Sequence, residues 1–376
     1  EIPPPGGEMA PPADLDDDEA LLNTYKYRGL RNECDAALQA FEKAEEWADL
    51  IKYLQRLQKI FQKAPDPLVV PHKVLVAKRL CQCLHAALPA GVHLKTLETY
   101  QLIFEKVGAD RLAMDIAYYS EGLFPLCRHA SYEVKPFLLD LIERHYIPLG
   151  AALAPCLSGL TLCLLTALGD AASESHGRVM GILDELRTAT STPQLMASVW
   201  TCLLLNADVR MQALDYAHAR LPAPGGKGAA GEGALDDFAP PETRDTLVLR
   251  ALVAALSDPE PLVPRTTLEL LLARLPLRST AVAAFSPRAL RALVVGALAV
   301  LPRREWALTR RVYQWLTGKR ADAIEGPSPA AARERLDPDV GRIFGDALRE
   351  LLATTAAPLA GSSAGGAGGG GGGAGG

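Results

Sequence analysis

The sequence has few cysteines, few aromatic residues and no strong excess of either charge. Seven cysteines among 376 residues are too sparse and too irregular for a disulfide-stapled scaffold. Their odd number favours reduced thiols and a cytosolic protein. Aromatic residues make up only 6%, and β-branched residues do not cluster, which argues against sheets. The 39 Lys and Arg against 44 Asp and Glu give a net charge of −5, which excludes a wholly basic nucleic-acid binder.

The sequence also lacks the short motifs that carry common enzyme chemistry. It has no G-x-S-x-G nucleophile elbow and no H-E-x-x-H pair, and the glycines around Lys227 lack the Ser or Thr of a phosphate-binding loop. The spacing of Cys81, Cys83, His85 and His93 comes nearest to a zinc set, but on a helix Cys83 points about 200° away from Cys81. We therefore predict no catalytic residue, no metal and no cofactor, and we expect buried thiols and hydrogen-bonded histidines here.

One uncharged stretch, residues 148–168, is about as long as the roughly 20 residues that a membrane span needs. Pro155 divides this stretch, and the strongest part, residues 156–168, is too short to cross a bilayer. The sequence therefore favours a buried helix over a transmembrane helix at this position.

Most of the chain consists of apolar stripes with helical spacing. In one of them Trp47, Leu50, Leu54 and Leu57 recur at intervals of three, four or seven residues, so they lie on one face and are expected in the core. Short turns marked by Pro or Gly join such stripes, and a helix pair takes about 40 residues, the size of a HEAT or armadillo unit. The predicted fold is all-α: a right-handed, HEAT- or armadillo-like helical-repeat solenoid of antiparallel helix pairs. A compact irregular bundle is the alternative.

Composition divides the chain into five segments. Tails that are rich in acid and Pro, or in Gly, hold too few apolar residues to offset the entropy of ordering. The predicted segments are a disordered acidic and Pro-rich tail (1–24), a helical-repeat block (25–221), a disordered Gly/Pro/Ala loop (222–241), a second helical-repeat block continuous with the first (242–355), and a disordered Gly-rich tail (356–376).

Basic residues concentrate in one part of the chain. Residues 244–320 hold 13 Lys and Arg and five Asp and Glu, a net charge of +8, which leaves −13 for the rest. Four arginines in this part, at i, i+1, i+7 and i+8 of a predicted helix, form a candidate patch for an anionic partner: Arg303, Arg304, Arg310 and Arg311. Trp306, Tyr313 and Leu316 are expected to face the core beside it. The alternative is a solvated helix face without a partner.

Five blocks of sequence, in this order, resemble the N-terminal region of the Dopey family. They are EEWADLIKYLQRLQKIFQ (45–62), PHKVLVAKRLCQCLHAALPAGVHLKTLETYQLIFEKVG (71–108), YYSEGLFPLCRHASYEVKPFLLDLIERHYIPLG (118–150), VPRTTLELLLARLPL (263–277) and LTRRVYQWLTG (308–318). Within the second block, ALPAGVHLKTLETY is the most specific stretch. The resemblance extends from about Tyr25 to about Gly318.

The resemblance implies a non-enzymatic scaffold or adaptor domain at the N-terminus of a large protein. It implies a cytoplasmic protein, peripheral on Golgi and endosome membranes, that acts in traffic between them. The implied protein partners are a Mon-type scaffold related to Arf exchange factors and a P-type lipid flippase. A kinesin light chain and an anionic lipid are further candidate partners, and no nucleic acid is implied. The alternative functions are a direct membrane- or phosphoinositide-binding module and a motor-adaptor domain.

Overall fold

The computed structural model describes residues 15–169, 174–222, 238–318 and 338–361, and these are helices joined by turns, without a strand. The predicted all-α class is therefore confirmed. The α-helices of the described residues are α1 (Leu15–Leu22), α2 (Tyr25–Phe41), α3 (Trp47–Lys63), α4 (Lys73–Gln82), α5 (Ala90–Val107), α6 (Ala109–Leu126), α7 (Val134–Leu141), α8 (Leu157–Leu168), α9 (His176–Ala189), α10 (Thr192–Leu205), α11 (Arg210–Arg220), α12 (Pro241–Thr243), α13 (Leu249–Leu256), α14 (Leu262–Arg274), α15 (Thr280–Ala283), α16 (Pro287–Leu298), α17 (Trp306–Thr317) and α18 (Pro338–Gly361). Further helical turns are π-helical at Ile142–Tyr146 and Arg244–Val248, and 3₁₀ at Ile147–Leu153, Ala207–Val209 and Leu301–Arg303.

The chain forms two compact units, residues 1–198 and residues 199–376. We call them the first and the second unit. Their boundary falls within α10 and does not coincide with the predicted loop at 222–241. Most of that loop, residues 223–237, lies outside the described residues.

Both predicted tails contain helix where they adjoin the rest of the chain. The tail predicted for residues 1–24 includes α1, and Asp18 of this helix forms ion pairs with Lys73 and Arg111 that fix its position. At the other end α18 continues to Gly361, past the predicted boundary at residue 355. The remaining parts of both tails, residues 1–14 and 362–376, lie outside the described residues.

Helices of the first unit pack mainly on the helix two positions along the chain. Helix α3 packs on α5 and α5 on α7, while α4 packs on α6 and α6 on α8. Side-chain hydrogen bonds show the same interval: Tyr27 donates to the carbonyl of Pro67, 40 residues away, and Gln58 to Thr99, 41 residues away. This interval equals the length of one helix pair. The arrangement of the pairs into a HEAT-like solenoid stays a prediction.

The apolar stripe of α3 is buried towards its C-terminal end, as its spacing predicts, and only partly at its N-terminal end, where Leu50 is half-buried. Leu54 and Leu57 are fully buried, whereas Trp47 is 55% exposed. Trp47 is the first residue of α3, so it lies at the end of the stripe, where its indole is not covered. The expectation that Trp47 is a core residue is therefore wrong.

A glycine allows α4 and α6 to approach closely. A Cβ atom at Gly122 would lie 2.8 Å from the Cβ and 2.9 Å from the Cα of Cys81. Because these atoms of Cys81 are fixed to its backbone, the clash could be relieved only if α4 and α6 moved apart. We expect Gly122→Ala to lower the free energy of unfolding by about 1–3 kcal/mol, as overpacking does. Urea denaturation followed by circular dichroism measures this loss.

The matched control for that prediction is Gly29→Ala in the middle of α2. A Cβ at Gly29 meets no atom within 4 Å, and alanine has the higher helix propensity, by about 1 kcal/mol. Gly29→Ala should therefore keep or raise the stability. A Gly122→Ala variant as stable as the parent chain would contradict the close approach.

The structure corrects the expectation that all cysteines are reduced. Cys127 and Cys163 form a disulfide, with their Cα atoms 5.4 Å apart. The other cysteines are free thiols: Cys34, Cys81, Cys83, Cys156 and Cys202. Burial raises the pKa of the Cys34 and Cys83 thiols to about 12, so both stay protonated and unreactive at neutral pH.

The uncharged stretch at 148–168 is divided into two helical pieces. The first ends as the 3₁₀ segment Ile147–Leu153, and after Pro155 the chain continues as α8. Helix α8 packs against α6 and α9 and buries Leu160, Leu164 and most of its other apolar residues. In the part of the chain that the structure describes, we find no helix with the length and apolarity needed to cross a bilayer.

Candidate interaction surface

The two histidines of the set with metal-like spacing make hydrogen bonds within the protein. Nε2 of His93 donates to the backbone carbonyl of His85 over 3.0 Å, and His93 is only 4% exposed. Cys83 is buried, and Cys81 lies against Gly122. Within the described residues, no three His, Cys, Asp or Glu side chains come together in a way that could hold a metal ion.

The four arginines of the predicted patch do not lie on one helix. Helix α17 begins only at Trp306, so Arg310 and Arg311 are helical while Arg303 and Arg304 precede the helix. Arg303 ends a 3₁₀ turn, and Arg304 adopts a left-handed backbone conformation with φ 57°. The predicted helical spacing of the two pairs is therefore wrong.

Two of the four arginines are engaged within the second unit. The Arg303 guanidinium donates to the backbone carbonyl of Asp258, and the Arg311 guanidinium pairs with the Glu269 carboxylate. Nε1 of Trp315 donates to the carbonyl of Leu275 over 2.8 Å. In order along the chain, Asp258, Glu269 and Leu275 meet Arg303, Arg311 and Trp315. Because later residues of one segment meet later residues of the other, α14 and α17 run parallel. Arg311 thus fastens α17 to α14, Arg303 joins the turns that precede the two helices, and neither arginine is available to a partner.

Asp258, whose backbone carbonyl accepts the hydrogen bond from Arg303, also takes part in a buried ion pair through its side chain. Asp258 is 4% exposed, and its carboxylate binds the Arg210 guanidinium. The carboxylate also accepts a hydrogen bond of 2.8 Å from the backbone N–H of Glu260, and Nε of Arg210 donates to the carbonyl of Leu203 over 3.1 Å. The pair joins the start of α11 to the turn before α14.

The other two arginines, Arg304 and Arg310, are exposed, and their side chains have no hydrogen-bond or ion-pair partner in the described part of the chain. Beside them Trp306 is 73% and Tyr313 is 41% exposed. The expectation that Trp306 and Tyr313 face the core is therefore wrong. The residues of α17 that face the core are Leu308, Val312, Trp315 and Leu316, so the expectation for Leu316 is confirmed.

Trp306, Arg310 and Tyr313 lie at i, i+4 and i+7 of α17, and we call them the aromatic–arginine face. This spacing puts the three side chains on one side of the helix. The sequence alone did not reveal this face because α17 carries two stripes of apolar residues, and only one of them can face the core. The signal that could have identified the exposed stripe is its charge, since Arg310 lies between Trp306 and Tyr313.

A second surface feature is an open groove of about 550 Å³ beside α1 and α4. Its apolar lining residues include Val70, Val74 and Leu75. At its edge Nζ of Lys73 lies 3.1 Å from Asp18 and 2.7 Å from Asp115.

The charges of Asp18 and Lys73 at the edge of this groove are neutralised by their partners. Burial alone would raise the pKa of Asp18 and lower that of Lys73. The hydrogen bonds and charges of their partners reverse both shifts, so the pKa of Asp18 lies below and that of Lys73 above its ordinary value. Lys73 is thus already paired with two carboxylates and is not free to bind an anion.

Comparison with known proteins shows which family this chain resembles. A profile of the family described as "Dopey, N-terminal" matches residues 24–321. "Protein DOP1B" of Xenopus laevis is 34% identical over 311 residues, which is 80% of this chain and 13% of that protein. "Protein DOP1 homolog" of Drosophila melanogaster is 35% identical over 308 residues, 81% of this chain and 11% of that protein.

A more distant relative is "Protein DOP1" of Saccharomyces cerevisiae, 26% identical over 357 residues, 83% of this chain and 21% of that protein. The chain thus spans only about an eighth of the length of the first two relatives. No solved structure shows significant similarity. Since the family profile covers most of the chain and the animal relatives exceed 30% identity, the chain belongs to the Dopey family and corresponds to its N-terminal region.

Proposed function

We propose that this chain is a non-enzymatic scaffold region of a large peripheral protein that acts in traffic between endosomes and the Golgi. The observation that carries the proposal is the family match over residues 24–321. The family resemblance associates this region with membrane traffic, and the all-helical architecture suits a binding surface. The relatives are much longer than this chain, so the region would act as one part of a larger assembly.

The proposed architecture of the scaffold is a stack of helix pairs of the HEAT type. It is supported by the contacts between residues about 40 positions apart, which occur in both units. In the second unit Arg311 meets Glu269, 42 residues away, and Trp315 meets Leu275, 40 residues away. Such a stack has long faces on which a protein partner can bind.

The proposed partners are proteins of the same trafficking system. They are a Mon-type scaffold related to Arf exchange factors and a P-type lipid flippase, with a kinesin light chain as a third candidate. The aromatic–arginine face supports a role in protein binding, because Trp, Tyr and Arg are the residues that dominate the energetics of protein interfaces. Direct binding to an anionic or phosphoinositide-containing membrane is the alternative function, supported by the same exposed arginines.

The test compares the full-length protein with a version that lacks residues 24–321. Both are tagged and expressed in cells that normally make the protein. We expect the deletion to abolish co-purification of at least one of the three proposed partners and to reduce location at the Golgi and endosomes. Retention of all three partners and of normal location would contradict the scaffold role.

Vesicles separate the scaffold role from the membrane alternative. Both proteins are mixed with phosphatidylcholine vesicles, with and without phosphatidylinositol 4-phosphate, at low and near-physiological salt. A scaffold predicts equal pelleting of the two proteins. Pelleting that requires residues 24–321 and fades with salt would favour direct membrane binding, because screening weakens contacts between charged groups.

A further inference from the structure

The aromatic–arginine face is a compact stripe on a firmly held helix. Tyr313 lies seven positions after Trp306, a rise of about 10 Å along the helix axis. Arg303, Arg311 and Trp315 fix α17 against the segment that contains α14. A partner therefore meets side chains on a preorganised backbone, which lowers the entropic cost of binding.

The composition of this face differs from that of an ordinary solvated helix face. Two large aromatic side chains, Trp306 and Tyr313, are exposed on either side of Arg310. The residues of α17 that meet the segment containing α14, Arg311 and Trp315, lie on the other side of the helix, so that segment does not cover this face.

The charges around the face indicate what kind of occupant it fits. The side chains of Arg304 and Arg310 are exposed cations without a partner among the described residues, while Glu305, directly before Trp306, is an exposed anion. An anionic membrane would attract the two arginines and repel Glu305, so a net charge of only +1 would hold the face to it. A protein segment can place one carboxylate at Arg310 and keep clear of Glu305. The balance of charge therefore favours a protein.

We infer that the aromatic–arginine face binds a segment of a partner protein that presents a carboxylate between two apolar side chains. The carboxylate pairs with Arg310, and the apolar side chains pack against Trp306 and Tyr313. A helical segment satisfies this pattern with apolar, acidic and apolar residues at i, i+4 and i+7, or at i, i+3 and i+7. The inference rests on the proposed scaffold function and names the surface and the chemistry of its partner.

Site-specific photocrosslinking in the full-length protein tests this inference. Tyr313→p-azidophenylalanine keeps an aromatic ring on the face and reacts with whatever lies against it. The control position is Tyr132, which is 79% exposed in the first unit. Cells that normally make the protein are irradiated, and the peptides joined to position 313 are sequenced by mass spectrometry.

The expected adduct is one peptide of one protein, with an Asp or Glu between apolar residues. In the protein that carries p-azidophenylalanine at position 313, the additional change Arg310→Glu should reduce the yield of this adduct at least about tenfold, as loss of a charge pair at an interface does. Arg250→Glu, which reverses an exposed arginine of α13, should leave the yield unchanged. Replacing the identified acidic residue of the partner by Lys should restore the adduct with Arg310→Glu.

Four results would overturn the inference: an adduct with lipid, no adduct above the Tyr132 control, a peptide without a carboxylate, or a yield unaffected by Arg310→Glu. Equal melting temperatures of the Arg310→Glu and Arg250→Glu proteins show that lost binding is not lost folding. The two proposals can fail separately. Suppose that deletion of residues 24–321 abolishes co-purification of a partner, that the Arg310→Glu protein still binds this partner, and that no adduct forms at position 313. This inference then fails, while the scaffold function stands.

Discussion

Replacing Trp315 by alanine is expected to lower the free energy of unfolding by about 3–5 kcal/mol, as for other buried aromatic residues. The Trp315 side chain is only 2% exposed, and its Nε1 donates to the carbonyl of Leu275. The variant loses buried apolar area and leaves that carbonyl without its donor. Urea denaturation of the parent and variant chains, followed by far-ultraviolet circular dichroism, gives the difference.

Trp306→Ala is the matched control, because it removes the same side chain from the same helix. Trp306 is 73% exposed, so its loss should change the stability by no more than about 0.5 kcal/mol. Trp47→Ala should likewise cost much less than Trp315→Ala, since Trp47 is more than half exposed. Equal losses for Trp315→Ala and Trp306→Ala would show that the orientation of α17 is wrong.

Replacing Arg210 by methionine is expected to destabilise the chain by about 3–5 kcal/mol, because it leaves the buried Asp258 carboxylate without its counter-charge. Asp258 is 4% exposed, so water cannot replace the guanidinium without local opening. The Arg210→Met change keeps most of the aliphatic volume, so the loss reports mainly on the charge. Thermal and urea unfolding of the variant measure it.

A second substitution identifies the cause of that loss. Asp258→Asn in the Arg210→Met background removes the unpaired charge and keeps an oxygen for the N–H of Glu260. The double variant should therefore be more stable than Arg210→Met alone, and the two effects should not add. Arg304→Met, at an exposed arginine, should change the stability by no more than about 0.5 kcal/mol. An Arg210→Met variant with no greater loss than Arg304→Met would contradict the buried ion pair.

Local features of the fold could be predicted from the sequence because their physical causes are local. Ser286 and Pro287 mark the start of α16, and Oγ of Ser286 accepts a hydrogen bond of 3.2 Å from the N–H of Ala289, as an N-cap does. Gly108 ends α5 with a φ of 80°, a conformation that glycine adopts without strain. Helical spacing likewise located the buried leucines of α3.

Contacts between distant parts of the chain could not be predicted. The sequence predicts a patch for an anionic partner that includes Arg303 and Arg311, but the structure pairs Arg303 with Asp258, 45 residues away, and Arg311 with Glu269, 42 residues away. Nothing in the spacing of the arginines shows which carboxylates or carbonyls the fold brings near them. For the same reason the sequence could not decide which of the two apolar stripes of α17 is buried, and it placed Trp306 and Tyr313 inside.

The 40-residue interval of the tertiary contacts has a consequence for how the chain folds. Gln58 and Thr99, or Trp315 and Leu275, come together by closing loops of only about 40 residues, and the entropy lost on closing a loop rises with its length. A helix pair can therefore dock as soon as the next pair has been synthesised, before the distant end of the chain exists. Low contact order of this kind favours rapid folding that proceeds along the chain during translation, and this shortens the time for which apolar surface is exposed to aggregation.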